Sequence, residues 1–209
     1  MVFFLPALLV AYLLGSFPTA FIFGEAIKGI DIREHGSGNV GATNVYRTVG
    51  KFAGIVVFII DVLKGTAAVV LLPLAIKAIG GDANITFSYY FYISLGACVI
   101  AGHMWTCFLR FKGGKGVATT AGVLAGLAPG ILGICLVVWI VVFSIWKYVS
   151  LASICSAVSM PVFALIFGKS LEFIIFTAVL SMIGVYAHRS NIRRLMQGTE
   201  NRLVSSSKS

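Results

Sequence analysis

Long apolar runs separated by short polar stretches dominate the chain. Predominantly hydrophobic segments occupy residues 3–23, 52–79, 87–108, 131–146, 148–167 and 171–187, with a shorter one at 117–129. The hydrocarbon core of a bilayer needs about 20 apolar residues per helix, so the six long runs read as membrane-spanning helices. The run at 117–129, rich in Gly and Ala, suits close packing against neighbouring helices. It also reads as a span, because leaving it out would put Arg189, Arg193 and Arg194 on the wrong side of the membrane. The expected architecture is all-α: a polytopic integral membrane bundle of seven transmembrane helices in a single domain, 1–209, with residues 202–209 a disordered tail. The first run lacks a basic leading segment and is expected to be a retained span rather than a cleaved signal.

Composition supports this reading. With 59% hydrophobic residues, 11% charged residues and a mean hydropathy of +1.00, the chain is not an ordinary soluble domain. Its basic residues set the orientation. With the N-terminus outside, the cytoplasmic stretches hold 13 of the 16 Lys and Arg, among them Arg47, Lys115 and Arg189, as the positive-inside rule requires. The four cysteines, Cys98, Cys107, Cys135 and Cys155, lie in or at the edge of apolar runs without C-x-x-C spacing and read as small packing residues.

Three polar stretches fall on the cytoplasmic face in this topology. The first, "HGSGNVGATNVYR", contains Gly36, Gly38 and Gly41 in G-x-G-x-x-G spacing, with Asp61 twenty residues beyond the last glycine. That is the spacing of a dinucleotide fingerprint, but such a loop belongs in a βαβ unit, and here it follows a lipid-spanning run. Asp61 itself sits inside an apolar run, so its spacing reads as coincidence. The glycines instead suit a cradle in which backbone N–H groups and small side chains meet a phosphate ahead of a helix.

The second stretch, "FLRFKGGKGVATT", sets Lys115 among Gly113, Gly114 and Gly116. It is not a Walker A loop, because glycine rather than Ser or Thr follows the lysine. Arg110 and Lys112 read as membrane-side anchors, whereas an anchor does not need the glycines that flank Lys115. In the third stretch, "HRSNIRRLMQGTENRL", His188 and Asn191 share one helical face if the last span continues. Arg189, Arg193 and Arg194 would then face lipid headgroups.

Other chemistries find little support. No H-E-x-x-H or Cys/His cluster suggests a metal, and no cofactor is expected. Glu25, Asp31, Glu34 and Glu200 form no acid-base pattern with the glycine motifs. His35 lacks an acid five residues on, and His103 reads as a packed, hydrogen-bonded histidine.

Together, "GSFPTAF", "GSGNVGATNVYR", "GHMW", "FLRFKGGKGVATTAG", "YVSLASI" and "HRSNIRRLMQGTEN" resemble the signatures of the bacterial acyl-phosphate-dependent glycerol-3-phosphate acyltransferases, over residues 15–201. The resemblance implies a seven-helix protein of the bacterial inner membrane. Its cytoplasmic loops would move a fatty acyl group from acyl phosphate to the sn-1 hydroxyl of glycerol 3-phosphate, the first acylation of phospholipid synthesis. By the same resemblance, Ser37 and the loop holding Gly36, Gly38, Asn39, Gly41, Thr43 and Asn44 would take the acyl phosphate. Arg47, Lys115, His188 and Asn191 would take glycerol 3-phosphate, and Gly113, Gly114, Gly116, Ser150 and Ser153 would complete the pocket. Ser37, Lys115, His188 and Asn191 are the expected catalytic set. Thr106 departs from the pattern, standing where many members have proline. Membrane lipids are the only further partner expected; neither nucleic acid nor a protein partner is implied. A transporter or channel for a phosphorylated solute is the alternative, disfavoured by polar clusters at one face rather than the midplane and by the lack of an inverted repeat.

Overall fold

The computed structural model describes residues 3–80 and 86–203, and every regular element among them is helical. The chain divides into two compact units, Met1–Ala128 and Pro129–Ser209.

In the first unit the opening apolar run is broken. Helix α1 (Phe4–Ser16) stops before Phe17-Pro18, and α2 (Thr19–Lys28) continues to complete a 25-residue span. Pro18 forces the break, because it lacks an N–H and drives Phe17 out of helical geometry, to φ −55° and ψ 115°. Helix α2 ends on Gly29, left-handed at φ +62°, whose N–H caps the Glu25 carbonyl. A short α3 (Ala42–Thr48) leads into α4 (Lys51–Thr66), which runs on through a π-helical turn at Ala67–Leu71 into α5 (Leu72–Ile79) as one 29-residue span. Helix α6 (Tyr89–Met104), a 3₁₀ turn at Cys107–Leu109 and α7 (Val117–Leu127) follow.

Lipid gives apolar side chains no reason to leave it, so helices there associate through close backbone packing. Gly15 on α1 lies against the Val99 backbone of α6, and Gly102 on α6 against the Tyr12 carbonyl of α1. Gly65 on α4 and Gly122 on α7 meet the Thr119 and Val62 carbonyls in the same manner, and Thr66 Oγ1 donates to the Gly122 carbonyl at 2.9 Å. A β-carbon at any of the four glycines would strike the facing backbone.

The second unit contains α8 (Pro129–Trp146), α9 (Val149–Ile166), α10 (Leu171–Ala187) and α11 (Arg189–Met196). Leu136, Val137, Ile140 and Val141 are exposed on α8, as a lipid-facing surface requires. Polar bonds join α8 to α9: Trp139 Nε1 donates to Ser153 Oγ at 3.2 Å, and Ser156 Oγ to the Cys135 carbonyl at 3.0 Å.

Among the described residues five helices are long and apolar enough to cross a bilayer, or six if α10 and α11, bent by 56°, count as one span. The count of seven expected from sequence thus rests on α7. Its 11 residues rise about 16 Å, against a hydrocarbon thickness of about 30 Å. The last span does not continue straight, since the bend falls at His188. Of the expected tail, residues 204–209 lie outside the described residues. Leu203 and Arg202 are tied down: Leu203 N–H donates to the Lys147 carbonyl at 2.9 Å and Arg202 Nε to the Tyr148 hydroxyl at 3.1 Å.

Candidate active site

The first polar loop is organised by one buried side chain. Asn44, 1% exposed, accepts the Ser37 N–H at 2.9 Å through Oδ1. Its Nδ2 lies 3.0 to 3.1 Å from the carbonyls of Ile32, His35 and Asn39. The loop therefore wraps around the first turn of α3. Gly36 and Gly38 supply left-handed turns at φ +62° and +68°.

Asn44 thus shapes the loop and spends its amide on backbone. The N–H groups of Ser37, Gly38 and Gly41 are likewise spent inside the loop, on Asn44 Oδ1 and on the carbonyls of His35 and Asn39, which removes three donors from the expected cradle. What the loop exposes is Ser37, between Gly36 and Gly38, with Arg47 exposed on α3 and Thr43 half-buried. Just upstream, the Arg33 guanidinium grips Asp31 with two nitrogens, Nε donating to Oδ1 at 2.9 Å and Nη2 to Oδ2. That hydrogen-bonded guanidinium holds the Asp31 carboxyl below its ordinary range.

The second loop folds back onto the end of α6. Arg110 and Phe111 adopt left-handed φ of 53° and 61°, turning the chain. Gly113 N–H then donates to the Met104 carbonyl at 3.0 Å and Gly114 N–H to the His103 carbonyl at 3.1 Å. A side chain at Gly113 would strike these carbonyls. One at Gly114 would strike the His103 ring and the Val40 carbonyl of the first loop. Glycine at 113 and 114 thus allows close packing against the end of α6 and, at 114, against the first loop. Gly116, at φ +80°, caps α7, leaving Lys115 half-buried between the loop and that helix.

The two loops face one another across a cleft of about 330 Å³ lined by Asp31, Arg33, Glu34, Gly38, Val40, Lys112 and Gly113. Lys112, expected only as an anchor, lines this cleft. Thr106, at the proline position, is buried; its hydroxyl donates to the Ser16 carbonyl at 2.6 Å and accepts the Phe108 N–H at 3.3 Å. It thereby closes the 3₁₀ turn by side-chain bonding.

In the second unit the polar centre is Glu200. One carboxylate oxygen accepts Ser150 Oγ and Asn191 Nδ2, each at 2.7 Å, and the other accepts Arg194 Nε at 2.7 Å. Burial alone would raise the Glu200 carboxyl, but these hydrogen bonds and the Arg194 charge outweigh it and hold the group below its ordinary value. His188, 4% exposed, sits at the bend with Nδ1 2.8 Å from the Gly184 carbonyl. A carbonyl can only accept, so Nδ1 carries the hydrogen and Nε2 is the acceptor nitrogen of the neutral ring. Ser153 is engaged in helix packing: besides accepting from Trp139, it donates to the Val149 carbonyl at 2.8 Å.

With this geometry in view, the comparisons with known proteins are decisive. Residues 5–198 match the family described as glycerol-3-phosphate acyltransferase. The chain belongs to that family. It is 44% identical over 197 residues to glycerol-3-phosphate acyltransferase 2 of Moorella thermoacetica, covering 94% of this chain and 96% of the relative. It is also 44% identical to the glycerol-3-phosphate acyltransferase of Clostridioides difficile, over 93% of this chain and 92% of that one. Among solved structures it is similar to PlsY, an integral membrane glycerol 3-phosphate acyltransferase crystallised in a glycerol 3-phosphate form. That likeness has a TM-score of 0.82 at 39% identity, over 96% of this chain and 95% of the other. A lysophosphatidic acid form of PlsY matches with a TM-score of 0.80. Membership of this acyltransferase family makes the chain an acyltransferase and an integral membrane protein of lipid biosynthesis.

Sequence reasoning misses two clusters. Glu200 has no partner adjoining it in sequence; its bonds to Ser150 and Asn191 span 50 and 9 residues. Asp61 and Lys64 do carry a signal, opposite charges three apart inside an apolar run, which lipid tolerates only when they are paired or functional. They form a buried ion pair at 2.8 Å.

Proposed function

We propose that the chain transfers a fatty acyl group from acyl phosphate to the sn-1 hydroxyl of glycerol 3-phosphate, giving lysophosphatidate and inorganic phosphate. The observation that carries this reading is the contact of the two glycine loops, Gly114 against Val40, which sets Ser37 and Lys115 on segments packed together. Each substrate carries close to two negative charges at neutral pH and repels the other unless fixed cations and donors are present. In this reading Ser37 and its loop hold the acyl phosphate, while Lys115 reaches both phosphates and Arg47 holds glycerol 3-phosphate. The roles of His188 and Asn191 toward glycerol 3-phosphate rest on their motif.

The sn-1 hydroxyl oxygen attacks the acyl carbonyl carbon and the carbonyl–phosphate bond breaks. The departing phosphate takes the hydroxyl proton, so positioning and charge neutralisation suffice without a protein base. Two PlsY structures named for a glycerol 3-phosphate form and a lysophosphatidic acid form support the acceptor and product. In the same reading α7 completes a seventh crossing, with the N-terminus outside and the loops cytoplasmic in a bacterial inner membrane, on the strength of the charge distribution.

The test is purified protein with acyl phosphate and glycerol 3-phosphate, acyl-CoA being the comparison donor. Lysophosphatidate and phosphate should appear in equal amounts from acyl phosphate and not from acyl-CoA. Turnover with acyl-CoA at an equal rate, or a requirement for ATP, would overturn the donor assignment.

A further inference from the structure

A buried polar cluster lies inside the first unit, away from the exposed loop residues. Asp61 and Lys64 of α4 and His103 of α6 are 2%, 6% and 8% exposed. Lys64 Nζ pairs with Asp61 Oδ1 and donates to the Phe17 carbonyl at 3.3 Å, one of the groups freed where Pro18 breaks the first span. Thr19 Oγ1, on the far side of that break, donates to Asp61 Oδ1 at 3.2 Å. His103 faces the same carboxylate oxygen with Nδ1 at 3.7 Å. Lipid offers no substitute partner for any of these groups, so the cluster fixes α2, α4 and the end of α6 against one another.

The other edge of His103 meets the phosphate loops. Its backbone carbonyl accepts the Gly114 N–H. Its Nε2 edge lies so close to Gly114 that a β-carbon there would collide with it, and the Val40 carbonyl crowds the same point, 2.6 Å from where that carbon would stand. The space remaining within the cluster is about 10 Å³, about one water probe. A substrate phosphate cannot enter, so the cluster does not act on substrate directly.

We infer that His103, held from behind by the Asp61–Lys64 pair, is a positioning residue that sets the spacing between the first glycine loop at Val40 and the Gly113–Gly114–Lys115 segment. The inference rests on the proposed function only in taking those loops as the phosphate site. His103 acts as a spacer: its ring is buried with the Asp61 carboxylate 3.7 Å behind Nδ1, the ring backs Gly114, and Gly114 sets the next residue, Lys115. A misplacement of about 1 Å in a group that must meet a reacting phosphate costs about a hundredfold in turnover.

The test is a double-mutant cycle between His103→Ala and Gly114→Ala, read by kcat, by KM for glycerol 3-phosphate and by melting in detergent. Gly114→Ala alone should lower kcat about a hundredfold, because the added methyl pushes Lys115 off its position, and should also lower melting by overpacking the His103 and Val40 contacts. In the His103→Ala background the clash with the ring is gone and only the Val40 carbonyl still opposes the methyl, so its effect should shrink by about tenfold, a coupling that contacting residues show. Because Lys115 also holds glycerol 3-phosphate in the proposed function, KM for that substrate should rise together with the fall in kcat, and both should show the coupling. If the two losses multiply independently, His103 does not set the spacing and the inference is wrong. His103→Asn, shorter but still polar toward Asp61, runs the same cycle should the alanine variant not fold. Failure of both to fold would show that His103 only supports the helices and would also overturn the inference. Wild-type protein that makes no lysophosphatidate from acyl phosphate counts against the proposed function instead.

Discussion

The polar centres of the two units are built on opposite plans. In the first unit the loops are shaped by backbone: left-handed glycines at 36, 38 and 116, carbonyl bonds to Gly113 and Gly114, and one amide, Asn44, closing the first loop. In the second unit the polar centre is a side-chain clasp in which the Glu200 carboxylate collects Ser150, Asn191 and Arg194. A backbone-built loop tolerates little change at its glycines but leaves its charged side chains to work on ligands. A side-chain clasp fails all at once when its central charge is removed, since three donors lose one acceptor. Stability and turnover should therefore respond differently in the two regions.

The largest expected effect is on turnover in the first unit. Lys115→Ala should slow turnover by a factor of about 10² to 10³, the loss of about 2.7 to 4 kcal/mol of stabilisation of developing charge, with melting in detergent nearly unchanged. An effect as small as that of Lys112→Ala would reduce the loop to a membrane anchor.

Glu200→Ala should act the other way, lowering stability by about 3 kcal/mol, the low end for a broken buried pair, because Arg194 is 33% exposed. The clasp also predicts a pH dependence. The folded Glu200 carboxyl lies below its ordinary 4.5, so its contribution is fully present above that pH and is lost as the pH falls through the depressed folded value. Wild-type melting should drop in this acid range and the Glu200→Ala variant should drop less; equal acid sensitivity would remove Glu200 as the cause.

Asn44→Ala comes next, at roughly 1 to 3 kcal/mol for the loop groups left unbonded. Its signature is lower stability together with lower kcat, since the loop loses its shape. A rise in KM alone, with melting unchanged, would instead make Asn44 a ligand. For His188→Asn the expected loss is at most about tenfold in KM for glycerol 3-phosphate, one charge-assisted hydrogen bond of about 1.5 kcal/mol, with kcat retained. Turnover slowed about a hundredfold or more, with one limb of the pH profile gone, would make His188 a general base. Smallest is Lys112→Ala: lining an open cleft, it should cost no more than about 1 kcal/mol, roughly fivefold, and less at high salt.

Legibility followed the same division. Residues 36–44 and 113–116 stand out because glycines among apolar runs are local signals, and the structure gives most of them a defined turn or close contact. The close packing of Gly113 and Gly114 is not legible in the sequence, because it depends on His103 and Val40, which the fold brings to them. Glu200 is invisible for the same reason, and Asn44 looks like a donor to substrate because nothing in the sequence says which backbone groups it must satisfy.

By itself, the sequence determined that this chain lives in lipid, that it is helical, and that its polar stretches lie between spans, since each follows from transfer free energies and periodicities that are local. Its motifs carried the family. Pro18 breaks the first span for a local reason, but the tertiary structure decided that the last span bends at His188 and that Asp61 meets Thr19 of α2 and His103 of α6 rather than a ribose. Those outcomes depend on partners brought from other helices. In a solvent without hydrogen bonds to offer, the partners a buried polar group finds fix its role.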